Sequence, residues 1–281
     1  MRLLTLNTHS RPGPLDAEHI PRIADWARAA EVDVIALQEV NQSRSAEVVS
    51  EEELKVAGAL LPGRHFPPIG RDNFALGLAR ALNAEALTYH WCYLPIKLGY
   101  DVYDEGLALL WRGEAKSVHA FPLSHTKDYN DWRRRMALGV KLGENWFYSV
   151  HTSRWEDTQE PFVAQWERLC RGVRDRGGVF LMGDFNCPAH RTGEGYDRMI
   201  RDGWRDTFTC AAASLGYATA ASDIDGWDYQ APRITQRIDY ILTNRLDIRV
   251  TRAQTVFDPV RGEDAVSDHR GVFCVYEEVG K

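Results

Sequence analysis

Short apolar runs, repeated along the chain and separated by amphipathic stretches, constrain this sequence more than any other feature. "RLLTLN", "VDVIALQEV", "LALLWR", "MALGVKL", "NWFYSVHT", "VFLMGDFN", "RIDYILTN" and "GVFCVYEE" read as buried strands. Between them, "AEHIPRIADWARAA" places Ile20, Ile23 and Ala27 on one helical face with Trp26 beside them. "PFVAQWERLCRGVRDRGG" aligns Phe162, Val163, Trp166, Leu169, Cys170 and Val173, with Pro161 in the first turn and Gly177-Gly178 as the stop. Strands alternating with helices predict a single α/β domain over residues 1–281, long enough to bury a large core. The segments 41–73, 90–105, 120–133 and 188–235 read as long loops, the usual carriers of specificity.

The strand ends share a second property. "LLTLN" closes on Asn7, "IALQE" on Glu39, "FYSVH" on His151 and "FLMGDFN" on Asp184 and Asn186, while "SDH" places Asp268 and His269 before the last strand. Brought to one edge of a sheet sandwich, these ends would form a rigid cluster of carboxylates, amides and two histidines. Such a set suits attack of water on a phosphorus ester assisted by a hard cation. Magnesium is held by one or two carboxylates plus substrate phosphate, so Glu39 helped by Asn7 and Asp268 would suffice. Zinc is disfavoured, since no H-E-x-x-H or clustered Cys/His spacing is present. P-loop and G-x-S-x-G signatures are also missing, and "SHTK" lacks the companion "KTG".

Each feature also has a blander explanation. Asp and Asn after a strand commonly form turns or caps, a lone histidine is more often a core residue, and an arginine triplet is usually a solvated face. The recurrence of polar strand ends favours chemistry. Asp239, between Ile238 and Tyr240, needs a partner in any fold.

In this order, "LNTH", "LQE", "EGLALLWR", "SVH", "GDFN", "RIDYIL" and "SDH" resemble the endonuclease/exonuclease/phosphatase superfamily with the DNase I-like fold. The resemblance runs from Asn7 to His269 and implies a four-layered α/β/β/α sandwich with its active site at one edge of two packed sheets. It makes Glu39 the main metal ligand, with Asn7 and Asp268 completing the site, for magnesium or, in its place, manganese. Asp184 would orient the nucleophilic water and Asn186 would hold the phosphate. His269 would contact a phosphate oxygen, oriented by Asp239. His151 would be a catalytic histidine paired with Glu105, and Arg134 or Arg135 would supply a phosphate-binding cation. The register does not choose between those two arginines.

Charge and composition narrow the substrate. The net charge of -6 lacks the basic excess that long nucleic acid attracts. Acidic, aromatic stretches such as "GYDVYDEG" and "SDIDGWDYQ" suit the hydroxyls and apolar faces of a sugar, with Trp227 and Tyr229 as contacts. "LNTHS", "VIALQEVNQS" and "DYNDWRRRMALGV" are similar to a bacterial cytosolic group that includes maltose 6'-phosphate phosphatase. The first expectation is therefore a magnesium-dependent phosphatase of a sugar phosphate or similar small phosphomonoester. The second is a nuclease or other phosphodiesterase acting on nucleic acid, and the third an inactive member serving as a binding module. Five cysteines without a C-x-x-C pair read as reduced thiols. With no signal-like segment and no bilayer-length apolar run, the expectation is a cytoplasmic chain with no membrane partner.

Overall fold

The computed structural model describes residues 1–60, 68–220 and 235–280. Elements follow in chain order as β1 (Arg2–Asn7), α1 (Pro14–Ala29), β2 (Val34–Ser43), α2 (Glu51–Val56), α3 (Phe74–Leu82), β3 (Tyr89–Gly99) and β4 (Tyr103–Arg112). Next come β5 (Ala115–Pro122), β6 (Met136–Leu142), β7 (Asn145–His151), α4 (Phe162–Val173), β8 (Gly178–Asp184) and α5 (Gly195–Arg201). The chain continues through β9 (Arg205–Asp206), α6 (Thr207–Cys210), β10 (Ala213–Leu215), β11 (Asp239–Thr243), β12 (Ile248–Val256) and β13 (Gly271–Glu278). One seven-stranded sheet has the order β10-β12-β13-β1-β2-β4-β3, and a six-stranded sheet has β5-β6-β7-β8-β11-β9.

Alternation along each strand builds the layers. On β1, Leu4 and Leu6 pack with Ile23 and Ala27 of α1 and with Phe74 and Leu78 of α3. Leu3 belongs to a different cluster, shared with Val34, Leu109, Phe147, Phe180 and Met182, which joins the two sheets face to face. On the far side, Tyr148, Val150 and Leu181 meet Phe162, Trp166 and Leu169 of α4. The result is the α/β/β/α sandwich that the resemblance implies. Burial on both faces explains why the central strands read as unbroken apolar runs.

Several local expectations change. Residues 90–105 are not a loop: β3 and β4 form an antiparallel hairpin, with Gly99 opposite Tyr103. The segment hides its nature because β3 is an edge strand, carrying His90 and Lys97 and an irregular register between Pro95 and Lys97. The other long segments also contain elements, notably α2 and, between residues 195 and 215, α5, β9, α6 and β10. Pro161 is the N-cap of α4, whose last residue, Val173, precedes Gly177-Gly178 by several positions. Among the described residues, no helix is long and apolar enough to cross a membrane.

The registers converge the strand ends. β1 runs parallel to β2, pairing Asn7 with Gln38, and β7 runs parallel to β8, pairing His151 with Asp184. β11 is antiparallel to β8 and sets Asp239 opposite Asp184. This close strand packing depends on Gly183, at φ 155°, where an added Cβ would lie 1.9 Å from the Val150 carbonyl oxygen. The obstruction is backbone of the adjacent strand and cannot swing aside. Gly183→Ala is expected to cost about 2 kcal/mol or more of stability, read by denaturant unfolding. An unchanged midpoint would refute that reading.

Candidate active site

The rim of the sandwich gathers most of the expected residues. Asn7, fully buried at the end of β1, donates through Nδ2 to Glu39 Oε1 at 2.8 Å and to Asp184 Oδ2 at 3.2 Å. Glu39 reaches the rim through a bulge: the β2–β4 register shifts between Leu37 and Val40. Its backbone is left-handed at φ 49°, as are those of His9 (40°) and Asn186 (50°). Strained backbone of this kind gathers at functional sites because surrounding structure must hold it. Burial would raise the Glu39 carboxyl, but the hydrogen bond from His9, the nearby His151 and His9 rings and the hydrogen bond from Asn7 together outweigh it and hold the group below the ordinary carboxylate range.

Asp184 lies almost wholly out of solvent. Its Oδ1 accepts from the Asn186 backbone N–H at 2.8 Å, and burial together with the facing Asp239 carboxylate raises its pKa to about 7. Asp239 accepts from His269 Nδ1 at 3.0 Å. Burial works against charge on that ring, but the Asp239 carboxylate prevails and lifts its pKa well above the usual value, so His269 is an imidazolium. The acid that needed a partner inside its strand has one. His269 Nε2 faces Asp184 Oδ2 at 3.9 Å.

His151 behaves in the opposite way. Burial, reinforced by the nearby Arg135 charge, lowers its pKa well below that of a free imidazole, leaving a neutral ring. Asn186 directs Nδ2 at both the Thr152 carbonyl (3.0 Å) and His151 Nε2 (3.1 Å), bracing the histidine.

One expected pairing differs, and one open choice narrows. Glu105 is not paired with His151; its carboxylate meets Lys97 Nζ at 2.9 Å, because Lys97 lies directly across the β3–β4 ladder. Arg134 turns away, donating to the Ile96 carbonyl at 2.6 Å and stacking over Tyr129. Arg135 is buried and lines the cleft, with Nη1 bonded to the Trp132 carbonyl at 2.7 Å and Nε without a partner. Trp227 and Tyr229 lie outside the described residues.

Sequence reasoning misses two residues. His9 stands between two acids, its Nδ1 3.3 Å from Glu39 Oε2 and 3.7 Å from Asp268 Oδ2, so Asp268 joins the cluster through that ring. Lys97 lies in the apparent loop that is in fact β3. Position beside Asn7 in "LNTHS" is the only local signal for His9, and nothing local marks Lys97.

The donor set fits a hard divalent cation. Ligand atoms of Glu39, His151 and Asp184 lie within 4.8 Å of one another. Oxygen ligands predominate, as magnesium and manganese prefer. The adjoining cleft, about 630 Å³, continues past Lys97, Tyr100, Trp132, Arg133 and Arg135 to Arg154, Glu156 and Asp157.

Fold and rim chemistry match one class, the metal-dependent hydrolases of phosphoric esters. Within it the chain belongs to the Endonuclease/Exonuclease/phosphatase family, whose model matches residues 4–269. A family protein from Leptotrichia buccalis superposes with a TM-score of 0.80 at 24% identity, covering 99% of each chain. A mannosyl-6-phosphatase from Bacteroides thetaiotaomicron gives a TM-score of 0.63 at 16% identity, covering 99% of each chain. A 3' phosphatase from Neisseria bound to a product DNA hairpin gives 0.63 at 16%, again covering 99% of each chain. Among curated protein sequences there is no significant match.

Proposed function

We propose that this hydrolase is a magnesium-dependent phosphomonoesterase acting on a sugar phosphate or a similarly small ester. The observation that carries the reading is the make-up of the site: Glu39, Asp184, His269 and Arg135 line one end of a cleft that Tyr100, Trp132, Glu156 and Asp157 also wall. Carboxylates and aromatic planes suit sugar hydroxyls and ring faces. The mannosyl-6-phosphatase neighbour supports the same substrate class.

In this reading Glu39 is the principal metal ligand, Asn7 supports it, and Asp268 is tied in through His9. When bound, magnesium would neutralise phosphate charge and polarise phosphorus toward attack. Asp184 orients the attacking water and accepts its proton, a task suited to a carboxyl raised toward neutrality. The His269 imidazolium, fixed by Asp239, hydrogen-bonds a phosphate oxygen, and Arg135 supplies the fixed cation on the other flank. Asn186 and His151 brace one another beside Asp184 and hold the phosphate in place. A cytoplasmic location fits the free thiols, of which Cys92, Cys187 and Cys274 are buried.

Nucleic acid is the second reading. Arg133 and Arg154 line the same cleft, and the Neisseria neighbour is bound to DNA. Phosphate release from a panel of monoesters, after chelation and then with magnesium or manganese restored, tests the proposal. Release from sugar phosphates that stops on chelation and returns with magnesium is expected. Metal-independent release, or none from any monoester, would contradict it.

A further inference from the structure

The sheet order gives the cleft a direction. Across the seven-stranded sheet, β1, β2, β4 and β3 lie side by side and carry Asn7, Glu39, Glu105 and Lys97 in that sequence. Across the facing sheet, β6 follows Arg135 directly, β7 ends at His151, β8 at Asp184, and β11 starts at Asp239. Asp184 therefore stands to one side of Glu39 with Asp239 and His269. Lys97, Glu105 and Arg135 stand to the other, beside Leu98, Gly99, Tyr100 and Trp132.

Displacement at phosphorus keeps attacking and leaving oxygens roughly in line. A water oriented by Asp184 therefore sends the leaving oxygen toward Lys97. A sugar alkoxide is a poor leaving group and needs a proton as it departs. His151 is not placed to give one through Nε2. That nitrogen accepts from Asn186 Nδ2, whose bond to the Thr152 carbonyl fixes which end of the amide faces the ring. Lys97 has the required chemistry and place. Its side chain is 14% exposed, lines the cleft and is anchored at 2.9 Å by buried Glu105, its directly paired neighbour on β4. The irregularity between Pro95 and Lys97 frees the lysine from a regular strand direction.

We propose that Lys97 is the general acid for the leaving group and Glu105 its positioning residue, an inference that rests on the phosphoric ester reading above. As the bond from phosphorus to the alcohol oxygen breaks, its electron pair stays on that oxygen, which takes a proton from the Lys97 ammonium. The water oxygen bonds to phosphorus and passes a proton to Asp184. Asp184 then releases that proton to solvent, and the Lys97 amine regains one.

Leaving-group dependence tests the assignment. A hexose 6-phosphate leaves as a strongly basic alkoxide, whereas p-nitrophenyl phosphate leaves as a stable phenolate that needs little protonation. Lys97→Met is expected to lower kcat about a hundredfold for the hexose ester and less than about fivefold for the aryl ester. Lys97→Arg, which keeps charge but is a poor acid, should follow the same split, and Glu105→Gln should show a smaller one. Both esters are read on one preparation, so partial misfolding cancels from the ratio. Equal losses on both esters, or no loss, would overturn the role. Should the wild-type protein cleave only diesters, the monoester reading fails by itself. The same split is then read with a dinucleotide against bis-p-nitrophenyl phosphate, where equal losses again overturn the role.

Discussion

Asp184→Asn is expected to lower kcat by about a hundredfold or more while the protein keeps its fold and melting temperature near wild type. The two side chains are nearly the same size, so the buried space at the end of β8 stays filled. What changes is the ability to accept a proton. Asp184 accepts N–H groups on both oxygens, from Asn186 and from Asn7. An amide can keep one of these and must turn its own N–H toward the other donor or toward the reacting water. Phosphate release, with a thermal melt as control, reads the outcome. Wild-type kcat in a folded variant would remove Asp184 from the chemistry.

Glu39→Gln should have the second large effect, on metal binding as well as turnover. The bulge and left-handed backbone place this carboxylate on the rim, where Asn7 and His9 hold both its oxygens. Replacing the main negative ligand of a weakly held hard cation with an amide raises the magnesium concentration needed for half-maximal activity. Turnover should fall at least about a hundredfold. Magnesium titration followed by thermal shift gives a readout independent of activity. A variant with wild-type magnesium dependence in both assays would exclude Glu39 as the ligand.

How legible the protein is in its sequence varies with local physics. β1, β2, β7, β8 and β11 are apolar on both faces, so their runs stand out, and their polar ends point to the rim without further help. Leu3 lies between the sheets, Thr5 hydrogen-bonds Gln38 Oε1 there, and two residues on Asn7 reaches the site. That two-residue step follows from the strand period alone. β3 gives no such signal, because an edge strand interrupted by Pro95 and bearing His90 and Lys97 resembles a loop. The choice between Arg134 and Arg135 depends on which side of the chain faces the cleft, and only tertiary packing decides that. Glu105 does reach the rim, but its partner differs from the one the resemblance implies, since its neighbour across the ladder is a lysine that no motif marks. His9 bridges acids separated in sequence by more than two hundred residues, a relation no local pattern contains.

The most direct measurement of the central claim is a head-to-head comparison of kcat/KM at physiological salt and saturating magnesium. The substrates are a hexose or disaccharide 6-phosphate and a 3'-phosphorylated DNA hairpin, with intact duplex DNA as a third. A net charge of -6 and a cleft wall that carries Tyr100, Trp132, Glu156 and Asp157 predict the highest value for the sugar phosphate, with shallow salt dependence because few counterions are released. Intact duplex DNA should remain uncut. Preferential turnover of DNA that falls steeply with salt, with no phosphate released from any sugar ester, would contradict the account.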